Sequence, residues 1–349
     1  MNSAARGYGG FSSHEPAATV TPKGVVARVF NGIAGGCAQL FSYPGAYIEG
    51  DKISSGGEVL KRLRPLLRKR SPVVPVALFY PDTDRVLSGE VPFDRFHLAL
   101  RKLLDFDPID ENMIWDDLLA RYRYLVVAGA ERMAQETTGK ISSWVKSGGV
   151  LLNVSCLISD FQENAALWQE LIGFTAETDR HYGVMEQVIL RPELLPRYQK
   201  LLPLWAMASY GPLAADCLPL VGMRGSWYEP VAEYSRLAWQ RKVGKGVVIS
   251  YFGLIDPRSG HGGWATSDAA ALTFLADVLD HAGELGLPPI QVGGLPGEAP
   301  TTLRPEMDGL YLSQFEDGLL AMNFADTPLA ITFEGKTITI GPDDIVELS

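Results

Sequence analysis

The clearest pattern of hydrophobic positions lies between residues 122 and 156, where a strand, a helix and a second strand follow one another. Residues 124–127 form a continuous apolar run, as in a strand that is buried on both faces of a parallel sheet. Apolar residues then recur at helical spacing over 141–145, and a pair of glycines ends this helix. A further apolar run at 150–154 predicts the second strand, so the segment is a βαβ unit with parallel strands.

The chain around this unit continues the alternation. In chain order the pattern predicts a strand at 76–80, a helix at 93–106, a strand at 113–115, a helix at 164–172, strands at 184–190, 217–221, 231–239 and 246–252, and a helix at 268–282 that Ser267 caps. Gly and Lys residues between the last two strands favour a hairpin turn there. This part of the chain therefore has the α/β class, with a parallel sheet.

The two ends of the chain lack this regular alternation of strands and helices. The first 70 residues predict a helix at 25–34, a strand at 37–43 and a helix at 57–67, which leaves one strand without an obvious partner. The last 45 or so residues hold five short alternating strands, which predict a small antiparallel sandwich. Pro- and Gly-rich stretches at 71–75 and 285–300 read as linkers. We therefore expect three domains, at 1–70, 71–287 and 288–349.

Composition excludes several classes of function. The 349 residues carry a net charge of −10, which argues against nucleic acid as a partner because phosphate binding needs a basic face. The basic cluster at 61–70 is interrupted by leucines at helical spacing, which favours a solvated helix face over a polyanion site. No apolar run is long enough to span a membrane. Three widely spaced cysteines suit a reducing compartment, so we expect a cytoplasmic protein.

Candidate chemistry is sparse. Cys156 follows a strand, where some α/β enzymes place a nucleophile, but its neighbours are not the small residues that such a turn needs, and a buried structural thiol is favoured. The five histidines lack metal-binding spacing, so we predict no metal and no cofactor. Asp82 and Asp84 follow a strand at the sheet edge where ligands bind, although helix capping or solvation explains them better. Glu15 and Glu49 lie near presumed strand ends, yet no pair of catalytic carboxylates can be nominated.

Three segments together resemble the C-terminal half of glycoside hydrolase family 42, the β-galactosidases of the trimeric type. These are TPKGVVARVFNGIAGGCAQLFSY at 21–43, RYRYLVVAGAERMAQETTGKISSWVKSGGVLL with WQRKVGKGVVISYFG in the middle, and YLSQFEDGLLAMNFADTPLAITFEGKTITIGPDDIVEL at the end. The resemblance implies a remnant of a (β/α)8 barrel, then a flavodoxin-like, class I amidotransferase-like trimerisation domain that is catalytically silent, then a β-sandwich. It also implies a homo-oligomer, a trimer, and a carbohydrate ligand where the barrel is complete.

The departures from the family concern the sugar site. The resemblance assigns sugar contacts to Tyr43 and Glu49, but Lys52 stands where the family has a histidine. The nucleophile position falls on Asn2 or upstream of the sequence, and no acid/base is present. We therefore predict no catalytic residue in this chain, and no activity from it alone. Two other interpretations stay open: a stand-alone association or carbohydrate-binding protein, and a hydrolase that uses Cys156. The apolar faces of residues 25–67 would discriminate the first of these, because they imply a missing barrel.

Overall fold

The structure of the protein, a computed structural model, describes a defined part of the chain. This part comprises residues 2–10, 12–14, 21–40, 47–89, 91–159, 162–174, 177–195, 204–210, 214–225, 235–253, 271–272, 274–279, 290–292 and 309–348.

The N-terminal segment contains a short βαβ unit followed by a hairpin and a helix. Its elements are α1 (Asn2–Gly7), β1 (Ser13–His14), α2 (Pro22–Ala34), β2 (Gln39–Leu40), β3 (Ile48–Glu49), β4 (Lys52–Ile53), α3 (Ser55–Leu63) and a 3₁₀ turn (Arg64–Leu66). Thr21 caps α2, since its hydroxyl accepts from the backbone N–H of Gly24 at 3.1 Å. The parallel partner of β2 is β1. The sequence pattern missed β1, which is the strand that the predicted 37–43 strand lacked.

The middle segment forms one large sheet with helices. Its elements are β5 (Val76–Phe79), α4 (Asp82–Ser88), α5 (Phe93–Leu100), β6 (Asp107–Ile109), α6 (Glu111–Trp115), a 3₁₀ turn (Leu118–Arg121), β7 (Tyr124–Ala128), α7 (Gln135–Ser147), β8 (Val150–Val154), α8 (Gln162–Ile172), β9 (Glu177–Ile189), β10 (Leu204–Tyr210), β11 (Cys217–Gly225), β12 (Ser235–Val243) and β13 (Gly246–Tyr251). Residues 271–272 and 274–279 are also helical, within the predicted helix at 268–282; its cap, Ser267, lies outside the described residues.

Among the described residues of this segment, the sheet has nine strands in the order β10-β9-β11-β12-β13-β8-β7-β5-β6. The five strands from β13 to β6 pair in parallel, and the four from β10 to β12 are antiparallel. In chain order the parallel strands lie 2-1-3-4-5, the order of flavodoxin-like sheets. The predicted βαβ unit is confirmed as β7–α7–β8. The expectation of a parallel sheet holds for half of it only, because the long strands β9 to β12 return as hairpins.

Two local predictions in this segment are wrong. Residues 113–115 are helical, because the side chain of Asp110 caps α6 by accepting from Met113 N at 2.8 Å, and a three-residue apolar run cannot tell a strand from a helix. The strand next to β5 is β6 instead. The helix predicted at 93–106 ends at Leu100, because residues 101–105 leave it and join the first unit described below.

In its described residues, 290–292 and 309–348, the C-terminal segment forms two three-stranded antiparallel sheets. Its strands are β14 (Ile290–Val292), β15 (Leu310–Phe315), β16 (Gly318–Asn323), β17 (Leu329–Phe333), β18 (Lys336–Ile340) and β19 (Asp344–Leu348), paired as β14-β17-β18 and β15-β16-β19. All five predicted strands after residue 309 are confirmed. Side chains of both sheets share one core, which includes Leu319 and Ala321 from β16 with Ile331 and Phe333 from β17.

The chain divides into two compact units, residues 1–74 with 101–105 and 286–349, and residues 75–100 with 106–285. The predicted first and third domains thus fall in one unit. The reason is the packing of β16. Leu320 and Met322 on its other face pack against α2. The predicted linkers belong to this unit too: Val73 N donates to Gln314 O at 2.9 Å, and β14 lies within the second linker.

The basic cluster at 61–70 also belongs to this arrangement. Arg62 pairs with Asp344, and Arg68 pairs with Glu347 at 2.5 Å. The side chain of Arg70, which is 1% exposed, pairs with the same Glu347. Arg62 and Arg68 are each 47% exposed, as the solvated-face prediction expects, and their ion pairs lie at the surface. The prediction is wrong for Arg70 alone, which is buried against Glu347.

Candidate functional site

The predicted sugar contacts are located as follows. Tyr43 lies outside the described residues. Glu49 ends β3, and the register places it opposite Lys52 in the exposed hairpin β3–β4. The other pair of this hairpin, Ile48 and Ile53, is about half exposed, at 49% and 50%. Glu49 is therefore accessible to a ligand, and the prediction that it meets a sugar beside Tyr43 stays a prediction.

Glu15, which directly follows β1 in the sequence, lies outside the described residues.

The second unit, residues 75–100 with 106–285, has a candidate ligand-binding position at the edge of its sheet. In the order 2-1-3-4-5 the direction of strand addition reverses between β5 and β7, and ligands bind in the crevice outside the carboxyl ends of these strands. Asp84, 3% exposed, reaches across this crevice from α4. Its carboxylate accepts from the backbone N–H of Glu131 at 2.8 Å and from the guanidinium of Arg132 at 3.0 Å, and both residues follow β7.

Glu111 lies in α6 and is 2% exposed, and its carboxylate accepts hydrogen bonds from the same loops. One carboxylate oxygen accepts from the backbone N–H of Thr83 at 2.9 Å. The other accepts from the backbone N–H of Ala134 at 3.1 Å and from the hydroxyl of Thr137 at 3.0 Å. The loops after β5, β6 and β7 thus meet at one carboxylate.

Asp82 lies beside these groups and is affected by them. Burial, and then the negative charges of Asp110 and Glu111, raise the pKa of its carboxyl above the ordinary value. The sequence pointed to Asp82 and Asp84 as a possible edge site, and their position at that edge is confirmed. The sequence pattern does not single out Glu111, because it predicts a strand at 113–115. The available signal is an acidic residue just after strand β6.

Cys156 is 0% exposed, as expected of a structural thiol. Its backbone N–H donates to the side chain of Asn153 at 3.1 Å, and its carbonyl accepts from the indole N–H of Trp168 at 3.1 Å. The residue before it, Ser155, has φ 50°, a left-handed conformation that is uncommon for a residue with a side chain. The turn is therefore sharp, but it buries the thiol rather than presenting it.

Across the described ranges, no group of three or more His, Cys, Asp or Glu side chains is arranged to hold a metal ion. Within the same ranges, no helix has the length and apolar character that crossing a membrane requires.

No protein-family model matches the sequence, and no curated protein matches it. Solved structures do match. A β-galactosidase from Bacillus circulans sp. alkalophilus aligns with 99% of this chain and 56% of its own, at a TM-score of 0.66 and 14% identity. One from the Antarctic haloarchaeon Halorubrum lacusprofundi aligns with 94% of this chain and 50% of its own, at 0.60 and 16% identity.

The alignment with Gan42B, a β-galactosidase of glycoside hydrolase family 42, is similar, with 95% of this chain, 52% of that chain, a TM-score of 0.64 and 12% identity. The chain has the fold of half of a family-42 β-galactosidase. This chain spans about half the length of these β-galactosidases. An exo-β-1,4-mannosidase from Opitutaceae bacterium strain TAV5 also aligns, with 79% of this chain at a TM-score of 0.51.

Proposed function

We propose that this chain is the C-terminal portion of a β-galactosidase-like glycoside hydrolase. The observation that carries the proposal is the alignment of 94–99% of this chain with 50–56% of two β-galactosidases of otherwise different source. The βαβ unit of β1, α2 and β2 supports it, since a barrel is built from such parallel units. In this proposal the N-terminal segment is the last part of a barrel, and residues 309–348 are its C-terminal sandwich.

The roles of the parts follow from this proposal. The α/β unit, amidotransferase-like in its strand order, serves oligomerisation, and the expected assembly is a trimer. The segment that holds Tyr43 and Glu49 frames the sugar site. The catalytic carboxylates lie outside this chain, and a cytoplasmic location goes with the proposal. Sedimentation equilibrium should give a mass well above the 38.1 kDa of one chain; a clean monomer at micromolar concentration would count against the oligomerisation role.

An activity assay tests the catalytic part of the proposal. We expect no hydrolysis of a chromogenic β-galactoside by this chain alone, because covalent glycosidase chemistry needs two carboxylates at one site. The informative variant is Glu15→Gln, with Glu58→Gln on the exposed side of α3 as its control. Turnover that Glu15→Gln abolishes and Glu58→Gln leaves intact would show that the chain carries its own catalytic carboxylate.

A second assay concerns the native polypeptide. A blot of source cells with an antibody to the α/β unit should show a band near twice the mass of this chain if a catalytic barrel precedes it. A band at the mass of this chain would favour the other candidate function.

That candidate is a stand-alone association or carbohydrate-binding protein. One observation favours it: the apolar stripe of α2, including Val26 and Phe30 at 0% exposure, is covered by the C-terminal sheet. The argument that this stripe needs a missing barrel is therefore wrong, because the chain provides the cover itself. Binding of galactose by calorimetry without any hydrolysis, at a native mass of one chain, would support this function.

A further inference from the structure

The hairpin of β15 and β16 turns on an Asp–Gly pair. Glu316 and Asp317 form its two-residue turn, and Gly318 pairs with Phe315 at the end of the ladder. Gly318 has φ 147°, a conformation that glycine adopts readily because it has no Cβ. The side chain of Asp317 is 46% exposed. The turn therefore presents an aspartate to solvent, directly before a residue with no side chain to shield the backbone nitrogen between them.

This pair of residues can rearrange with water as the only reagent. The backbone nitrogen of Gly318 attacks the side-chain carboxyl carbon of Asp317, an N–C bond forms, and the carboxyl hydroxyl leaves with the amide proton as one water. A second water then opens the five-membered succinimide ring. Where it breaks the bond between the nitrogen and the original main-chain carbonyl, the main chain runs through the former side chain, and the residue is an isoaspartate.

Two arginines of the N-terminal segment contact the carboxylate that would react. Arg68 Nη2 donates to Asp317 Oδ2 at 3.1 Å, and Arg70 Nε lies 3.3 Å from the same oxygen. Partial desolvation raises the pKa of the Asp317 carboxyl, but the two guanidinium groups lower it by more, so this pKa lies below the ordinary value. Cyclisation expels the hydroxyl of a protonated carboxyl. The ionised, hydrogen-bonded carboxylate is therefore the slow-reacting form.

We propose that Asp317–Gly318 is a site of spontaneous isoaspartate formation, and that Arg68 and Arg70 restrain the reaction. The product has one more carbon in the main chain of a two-residue turn, which displaces the carboxylate from both arginines. The side chain of Arg70 is 1% exposed, and it would keep only Glu347 of its two acidic partners. The modification therefore weakens the contact between the two ends of the chain within the first unit. The inference is independent of any glycosidase role, because it concerns the chemistry of one turn.

Ageing of the purified full-length chain tests the proposal. The wild type and Arg68→Ala are incubated at mildly acidic pH, where part of the carboxyl is protonated, and are then digested. Chromatography with electron-transfer fragmentation measures the isoaspartate at residue 317. We expect it to accumulate about two to five times faster in Arg68→Ala, a modest factor because Arg68 is 47% exposed. Arg64→Ala, at another exposed arginine, is the matched control and should age at the wild-type rate.

An internal reference separates this effect from a general loosening of the fold. The sequence has a second Asp–Gly pair at 308–309, so the rate at 317 is divided by the rate at 308 in each protein. Unfolding would speed both sites and leave the ratio unchanged, whereas loss of the restraint raises it. Asp317→Glu keeps the charge, but its longer side chain cannot form the five-membered ring, so the modified peptide should disappear. An unchanged ratio in Arg68→Ala, or no isoaspartate at 317 in either protein, would overturn the proposal.

Discussion

Single residues decide how distant segments of this chain are joined. Arg101 is the clearest case, in the short segment that belongs to the first unit. Its guanidinium donates to Leu312 O at 3.0 Å and to the hydroxyl of Ser313 at 3.0 Å, and that hydroxyl donates to Asp105 at 2.6 Å. It also lies 5.5 Å from the ring centroid of Phe30. One side chain thus contacts both the N-terminal helix and the C-terminal sheet.

We expect Arg101→Ala to lower the free energy of unfolding by about 2–4 kcal/mol, since it removes the hydrogen bonds of a charged donor and its ring contacts in a largely buried place. Urea titration measures this. Arg64→Ala, at an exposed arginine, is the control and should stay within about 0.5 kcal/mol of the wild type. Arg101→Lys should fall between the two, because lysine lacks the planar fork. An Arg101→Ala protein as stable as the control would show that the contacts contribute nothing.

A second residue-scale prediction concerns Cys217. Burial raises the pKa of its thiol from 9.0 to about 11. In a protein with Cys37→Ser and Cys156→Ser, native alkylation by iodoacetamide should therefore show a midpoint near pH 11, and urea-unfolded protein a midpoint near about 8.5. Because the folded state disfavours the thiolate, the buried thiol stabilises the fold fully below about pH 8.5. This stabilisation is lost as the pH rises toward 11. Rapid native labelling at pH 8 would contradict it.

At the scale of elements, α2 is the helix that the first unit packs around. Its stripe of Val25, Val26, Val29 and Phe30 lies against Phe315 and Leu320 of the C-terminal sheet and Leu63 of α3. The helical spacing of these apolar residues was visible in the sequence. Their partner was not, because about 290 positions separate Phe30 from that sheet and no local pattern encodes such a pairing.

Phe30→Ala should therefore destabilise the first unit by about 3–5 kcal/mol, the usual cost of emptying a fully buried phenylalanine site. Leu98→Ala is the matched control, because Leu98 is 63% exposed and should change little. Chemical denaturation followed by circular dichroism is the measurement. Similar midpoints for the two variants would mean that α2 does not hold the C-terminal sheet in place.

At the scale of the whole molecule, the first unit is built from both ends of the chain. Arginines of residues 62–70 pair with Asp317, Asp344 and Glu347, and Lys23 pairs with Asp326 at 2.7 Å. Exposed ion pairs contribute little each, so the shared apolar core is the larger stabilising effect. The C-terminal sheets should accordingly depend on the N-terminal segment.

A protein that lacks residues 1–74 tests this dependence. We expect its residues 309–348 to become sensitive to limited proteolysis and the protein to bind the dye ANS, because the removed segment uncovers Leu320, Met322 and Ile345. A protein with Lys336→Ala, at an exposed position of β18, should keep the wild-type resistance. Unchanged resistance of 309–348 in the truncated protein would show that the C-terminal sheets fold without α2.

What the sequence by itself determined is local. Apolar runs and helical stripes located β5, β7, β8, α2, α7 and the C-terminal strands, because each pattern reports which face of one element is buried. Only the tertiary structure decided how these elements combine: β1 beside β2, α2 against the C-terminal sheet, and Glu111 between three loops. Each of these three arrangements joins residues that are far apart in the chain. The hydrophobic pattern around one partner reports which face of that element is buried, but not which distant element covers it.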